Sequence, residues 1–416
     1  MDRTAMNSKL TRLITIALLF GFAQSGGAQE DLLNVYQRAL QNDPLIREAE
    51  AIYLATLETR PQARSSLLPQ FSFDANSTKS DSEDPNPSTN FTTGSPSLLV
   101  VSTKTEREST SLSLNVSQTL FDKTQLVALR QSGKQVLRAG ADYELAKQDL
   151  ILRVAESYFE VLASADTLAA ETAAREAIGR QLEQANRRFE VGLIAITDVR
   201  ESQAGYDLSI ATEISAQRIL ATSREFLREI VGEYIEELAG PLDQFPLLSP
   251  DPADPDEWVR VSRDQNLALM SSRITADIAL DEVGVQRGNR LPTLRLTGSY
   301  SESESDTTRT NLLANGAINV NPSTAQPEGY NLSLNFTVPL FTGGFNSSRV
   351  QQAVYQHRAA LQSLERVARQ TERETRDAYL GVIAEVSRVR ALDRAVESSE
   401  TALQATEAGF EVGTRT

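Results

Sequence analysis

Arg188-Phe189-Glu190-Val191-Gly192-Leu193-Ile194-Ala195-Ile196-Thr197-Asp198-Val199 is the stretch on which the fold turns. Ahead of it, from Lys123 to Phe189, apolar residues recur at three- and four-residue spacing (Leu145, Leu150, Val154, Tyr158, Val161, Leu162, Ala165, Leu168), the period of a helix face. Gly192 then supplies the left-handed conformation that ends a helix. Val191 to Ile196 form a short apolar loop, and Thr197-Asp198 open a second helix, their oxygens suited to free backbone N–H groups, that runs to about Val231. The stretch therefore predicts the tip of a long helical hairpin. At 1.5 Å per residue, its first arm alone reaches on the order of 100 Å, far more than a globular domain uses.

The tip occurs twice. Phe189-Glu190-Val191-Gly192 returns 221 residues later as Phe410-Glu411-Val412-Gly413, and Tyr158 has its counterpart at Tyr379 with the same offset. Leu68-Pro69 returns as Leu291-Pro292 after 223 residues, and Leu120-Phe121 as Leu340-Phe341 after 220. Landmarks that keep their order and nearly constant spacing mark an internal duplication.

Each copy follows one plan. Residues 29–240 hold a helix around Pro44 to Arg64, a strand pair at about 70–78 and 109–121, and the helical hairpin at about 123–231. A linker occupies 241–256. Residues 257–416 repeat the plan with a helix around Trp258 to Gly288, strands at about 293–301 and 329–341, and a long helix at about 345–411. Leu-Pro pairs end the first helices, since Pro cannot continue a helix and biases its predecessor to extended backbone. Alternation follows: Phe71, Phe73 and Ala75 interleave with Ser72, Asp74 and Asn76, and Leu112, Leu114 and Val116 with Ser113, Asn115 and Ser117. Tyr330 to Leu340 alternates likewise, while Thr78 to Asn90 and Ser301 to Gly329 have loop composition. The second copy reaches Thr416 inside the tip motif, so the repeat predicts a fragment lacking its final helix.

Strands of about 9–11 alternating residues suit a membrane barrel, with one face to lipid and the other to a wet lumen. The same alternation serves a soluble half-buried strand. Four strands cannot close a barrel, because the smallest have about eight, and lipid does not tolerate an open sheet edge. The membrane alternative therefore requires an oligomer whose chains pool their strands.

The ends and the composition agree with export. Arg3, Lys9 and Arg12 precede the apolar run Leu13 to Phe22, too short to span a bilayer, and Gly26-Gly27-Ala28 offers a cleavage site; residues 1–28 form a signal peptide. Their removal takes away three cations and Asp2, moving the formal charge from −15 to −17. So acidic a chain is unsuited to nucleic acid, whose binding rests on phosphate neutralisation. With no Cys, stability must come from packing or oligomerisation. The single His, His357, stands in an Arg- and Gln-rich helix without the partners that a metal site or triad needs. No catalytic, cofactor-binding or metal constellation is present, and the pattern points away from an enzyme.

With these residues in view, positions 30 to 416 resemble the TolC family of trimeric outer-membrane channel-tunnels. The resemblance rests on the two tip motifs, Val35-Tyr36, Asn42-Asp43-Pro44 and Leu67-Leu68-Pro69-Gln70. It implies an α+β membrane protein of the bacterial outer membrane, most of its mass in the periplasm. Three chains would each give four transmembrane β-strands to a twelve-stranded barrel and long helical hairpins to a periplasmic α-barrel. It also implies the role of an exit duct in a tripartite efflux pump or type I secretion system. The partners would be outer-membrane lipid, a periplasmic adaptor and, through it, an inner-membrane pump or ABC transporter. Pro69, Pro292 and Pro339 would mark strand–helix junctions. Val191, Gly192, Leu193, Val412, Gly413 and Thr414 match the tip that meets the adaptor, and Thr197, Asp198, Phe410 and Arg415 match a polar network holding the tunnel closed. Phe410 departs from the family pattern, which carries Tyr there, so one hydroxyl hydrogen bond is missing. An exposed Asp198–Arg415 pair is worth about 0–1 kcal/mol, and three copies stay below the roughly 5.5 kcal/mol that swings a two-state gate. The pair would bias a gate held mostly by helix packing. The rival is a periplasmic coiled-coil adaptor or scaffold, which predicts one hairpin and no alternating strands. A gated porin acting alone leaves the long helices unexplained.

Overall fold

The computed structural model describes residues 29–85, 100–241, 246–313 and 316–412, with the side chains of Phe410 and Glu411 excepted; the segment 1–28, expected from sequence to be a signal peptide, lies outside them. Its first element, α1 (Leu32–Asn42), was not expected from sequence; Asp31 caps it by accepting the Asn34 N–H at 2.8 Å. The helix expected over 44–64 is two helices, α2 (Pro44–Leu57) and α3 (Thr59–Ser65). Pro61 has no N–H to give back to the preceding turn, and its ring crowds the carbonyl there. Likewise the helix expected over 258–288 is α6 (Pro255–Gln265) and α7 (Leu267–Gly288), because Asn266 starts a new helix by accepting the Leu269 N–H at 2.9 Å. The long helices are α4 (Lys123–Glu190), α5 (Ile196–Val231) and α8 (Phe345–Glu411).

Two compact units share the chain: one holds residues up to Ile52, Asp142–Pro255 and Asp377 onward, the other Tyr53–Ala141 and Asp256–Arg376. In the first, Val35 and Ala39 of α1 pack into a core with Leu150, Val154, Tyr158 and Val161 of α4 and Leu220, Leu227, Ile230 and Val231 of α5. Asp43, between α1 and α2, is buried and pairs with Arg153 at 2.5 Å. Further along the hairpin, Arg175 and Thr172 of α4 hold Glu213 of α5 at 2.6 and 2.9 Å.

Tyr158 ties this unit together. Its hydroxyl donates to Ala239 O at 2.5 Å and also lies 3.1 Å from Glu30 O. Those two segments are already joined by a parallel bridge, Glu30 N–H to Glu237 O and Ala239 N–H to Glu30 O. Burial, then the charge of Asp31, pushes the phenol up from its ordinary value, so it remains a donor throughout the neutral range. This contribution is present below about pH 10 and is lost above it. Tyr158→Phe is expected to cost about 1–2 kcal/mol, raising local amide exchange at Glu30 and Ala239 by roughly 5- to 30-fold; unchanged exchange would show the hydroxyl to be idle. Its repeat mate Tyr379 is only half-buried.

In the second unit, α7 lies against the start of α4. A Cβ at Gly288 would sit 2.8 Å from Thr124 Cγ2 and 3.0 Å from Thr124 N, so only glycine allows this approach. Asp281, buried on α7, is held by Arg130 at 2.7 Å and Lys134 at 2.8 Å.

The sheet comprises β1 (Gln70–Asp84), β2 (Val100–Phe121), β3 (Thr293–Leu313), β4 (Ile318–Ala325) and β5 (Glu328–Thr337), all antiparallel. β5 pairs with Thr293–Glu302 of β3 and β4 with Ser305–Leu312, so together they occupy one edge. Ser303 N–H donates to Pro327 O at 3.0 Å across the break between them.

The strands overrun the spans expected for them. The segment Thr78–Asn90 is ladder as far as Asp84, and most of Ser301–Gly329 is β3 and β4; residues 86–99 and 314–315 lie outside the described residues. The run Ser301-Glu302-Ser303-Glu304-Ser305-Asp306 has the period of a strand but no apolar face, so hydropathy does not register it. Backbone pairing continues regardless. The last strand stops at Thr337 instead of 341, because Pro339 has no N–H to give a ladder.

Candidate functional site

The tip of the first hairpin is built by its backbone. Leu193 N–H donates to Arg188 O and Gly192 N–H to Phe189 O, both at 2.8 Å, with Gly192 at φ +75°, which together make a Schellman cap. The second helix begins at Ile196, so its N-cap is Ala195, not Thr197-Asp198 as expected. Asp198 acts from the third position instead: its Oδ2 accepts the Ala195 N–H at 3.4 Å, and its Oδ1 accepts the Thr197 hydroxyl at 3.3 Å. Ala has no side-chain acceptor, so the acidic residue supplies the cap from inside the helix.

The turn leaves its apolar side chains largely open, Ile194 alone among them being half-buried. Val191 is 69% and Leu193 73% exposed, with Phe189 and Ile196 also open. Water-facing apolar residues on a rigid cap form a surface suited to a partner. At the second tip Val412 is 73% exposed and its N–H still bonds Ala408 O at 3.2 Å. Gly413, Thr414, Arg415 and the side chain of Phe410 fall outside the described residues, so of the gate residues only Thr197 and Asp198 are seen together. Along α8, Val382, Val389, Val396 and Leu403 recur every seven residues and are exposed.

In the sheet of the second unit, the register sorts side chains onto two faces. Phe71, Phe73 and Ala75 of β1 pair with Val116, Leu114 and Leu112 of β2. The same face continues through Leu296, Gly298 and Tyr300 of β3 to Leu334, Leu332 and Tyr330 of β5. Phe71 is 72% and Leu332 70% exposed, so these belt positions are left uncovered by the described residues. From Leu294 to Tyr300 it spans about 20 Å along the strand, close to the ~25 Å apolar band of membrane barrels. Phe336 stands at its helix end and Phe73, Tyr300 and Tyr330 share the row at the other, where such barrels carry aromatic girdles. Beyond the belt the same face turns acidic, with Glu106, Glu108, Glu302, Glu304 and Asp306. The reverse face carries Ser72, Asp74, Asn76, Ser113, Asn115, Ser299, Asn331 and Ser333.

Pro69 and Pro292 each sit one residue before a strand, β1 and β3, while Pro339 lies two residues after β5. Among the described residues no group of His, Cys, Asp or Glu is placed to hold a metal ion, and no helix is long and apolar enough to cross a membrane. His357 is half-buried on α8. Sequence reasoning missed the Asp43–Arg153 and Asp281 ion pairs and the reach of the polar strands. The only advance sign was Asp43 in front of Pro44, an acid at a helix break.

Comparison with known proteins agrees with this architecture. The family model described as Outer membrane efflux protein matches residues 35–233 and 258–416. Outer membrane protein TolC of Vibrio cholerae is 36% identical over 416 residues, 98% of this chain and 87% of that protein. Alkaline protease secretion protein AprF of Pseudomonas aeruginosa is 28% identical over 92% of this chain and 76% of its own. Among solved structures, the Campylobacter jejuni CmeC outer membrane channel superposes with a TM-score of 0.69 at 18% identity, covering 92% of this chain and 77% of the other.

Proposed function

The chain belongs to the outer membrane efflux protein family, and from that premise we propose that it works as the exit duct of efflux and type I secretion assemblies in the bacterial outer membrane. The observation that carries this is the two-faced sheet, an uncovered apolar belt backed by Ser and Asn, joined to the helical hairpin. A coiled-coil adaptor has no use for such a belt.

One chain offers four strand paths (β1, β2, β3 and β4 with β5), and among the described residues the outer edges of β1, β4 and β5 have no strand partner. Exposed ladder edges are untenable in lipid. Pairing β1 of one copy with β4 and β5 of the next closes the sheet, and a homotrimer would reach twelve strands, within the range of known barrels. The long helices of the three copies would then line a periplasmic tunnel.

The tips are the adaptor-docking surface: Val191, Gly192 and Leu193, with Val412, Gly413 and Thr414 of the second repeat. The adaptor in turn couples to an inner-membrane pump or ABC transporter. Asp198 and Thr197 bias the closed state together with Arg415 and Phe410; if Asp198→Ala plus Arg415→Ala leaves single-channel conductance unchanged, that role is wrong. Pro69, Pro292 and Pro339 stop helical or ladder structure where barrel meets tunnel.

The decisive experiment replaces Val191 and Leu193 by Asp in cells lacking the native gene. The protein should still reach the outer-membrane fraction. Crosslinking to the adaptor should fall by about 30-fold or more, as for a central contact of 2 kcal/mol, and substrate should accumulate in the cells. Wild-type efflux with charged tips would remove docking from this site. No change in accumulation on deleting the gene itself would remove the duct.

A further inference from the structure

Beyond the apolar belt, on the half of the sheet away from the helices, the two faces carry opposite charge. The face continuous with the belt holds carboxylates, and its cations are already engaged: Lys104 with Glu106 at 2.5 Å and Asp81 at 3.3 Å, Lys79 with Glu108 at 3.8 Å. The reverse face carries Arg107 of β2 and Arg309 of β3. Arg107 is opposite Thr307 and Arg309 opposite Thr105, which makes the two arginines diagonal neighbours on adjacent strands. Such neighbours stand about 7–8 Å apart.

Both arginines are exposed, and among the described residues neither has a carboxylate partner. Arg107 Nε donates only to the Thr307 hydroxyl, at 3.3 Å. Around them the face is hydroxyl and amide: Ser80, Ser109, Ser305 and Asn311. The acids sharing this face are distant. Asp74 lies at the register of Ser113, six residues from Arg107 and roughly 20 Å along the strand. Asp84 lies at Thr103, about 13 Å along the strand from Arg107; from Arg309 it is about 7 Å along and two strands across, roughly 12 Å in all, and both separations exceed the ~8 Å Debye length at physiological salt.

We propose that Arg107 and Arg309 form an anion-attracting collar in the outer part of the lumen, a specificity determinant for cargo bearing carboxylate, phosphate or sulfate groups. The proposal rests on the exit-duct function, in which the belt faces lipid and the reverse face lines the pore. There the guanidiniums of each chain stand on a wet wall with little around them to neutralise their field. A low-dielectric wall of one sign concentrates counter-ions near it. The acids that make the chain strongly negative overall are turned outward at this level, so the net charge of the sequence misstates the charge that cargo meets.

The absence of native cysteine permits a direct test. Thr105→Cys places a thiol on the reverse face, between the two arginines; Glu106→Cys places one on the belt face. Both would be labelled on intact cells with 2-sulfonatoethyl methanethiosulfonate and its trimethylammonium counterpart. At Thr105→Cys the anionic reagent should be favoured, and Arg107→Gln plus Arg309→Gln should lower the anionic-to-cationic rate ratio by about tenfold. At Glu106→Cys the ratio should not respond. In planar bilayers the double glutamine variant should shift the reversal potential in a KCl gradient toward cations. An unchanged ratio at Thr105→Cys, with the thiol labelled, overturns the collar. A response at Glu106→Cys instead inverts the faces, and labelling of purified protein but not of cells removes the outer-membrane duct itself.

Discussion

Arg153→Met is expected to destabilise the first unit by about 3–5 kcal/mol, the usual result of stranding one partner of a buried ion pair. Asp43 is 2% exposed, and its Oδ2 meets Arg153 at 2.5 Å while its Oδ1 accepts the Leu45 N–H at 3.4 Å where α2 begins. Without the guanidinium a carboxylate would remain inside with one weak hydrogen bond. The reverse change costs less. Arg153 is partly open to water and also bonds Asp149 at 3.0 Å, so Asp43→Asn, which keeps an acceptor for Leu45, should cost only about 1–2 kcal/mol. Native-state hydrogen exchange of the α1 and α5 amides around Val35 and Val231 measures both. Equal losses, or the reverse ranking, would mean that burial of Asp43 is not what the pair compensates.

Two adjacent residues should give opposite outcomes in the membrane. Leu332 lies in the middle of the apolar belt, opposite Gly298, and Asn331 is on the other face, opposite Ser299. Arg at a lipid-facing barrel position costs about 2–4 kcal/mol at the midplane, repeated in every copy of an oligomer, while a lumen position tolerates charge. Leu332→Arg should therefore abolish the heat-modifiable oligomer in the outer-membrane fraction, and Asn331→Arg should leave it intact. If both variants assemble alike, the belt does not face lipid.

How far the sequence could carry these conclusions depended on what each residue's partner was. Gly192 was legible because its conformation is local: a left-handed cap needs only itself and the carbonyls of Phe189 and Arg188. The extents of α4, α5 and α8 were legible too, since unbroken helical periodicity without Pro needs no tertiary context. Local rules failed where two local signals competed. Thr197-Asp198 looked like a cap, yet the helix starts at Ile196 and Asp198 reaches back to Ala195 from inside it. Pro61 and Asn266 split helices whose apolar spacing runs straight through. The polar strands beyond Tyr300 have period two but nothing apolar to mark it, so their composition reads as loop.

By itself, the sequence determined the duplication, the helical hairpin with its apolar tip, the alternation of the strands near the helices and the family to which the chain belongs. These are patterns along the chain, set by period and by the conformational limits of Gly and Pro. The tertiary structure alone decided which charges are buried, which are paired and which face they share. Asp43 and Arg153 are 110 residues apart, and Arg107 and Thr307 are 200. Electrostatic environment depends on distance through space and on access to water, and neither quantity is written in the spacing of residues along a chain.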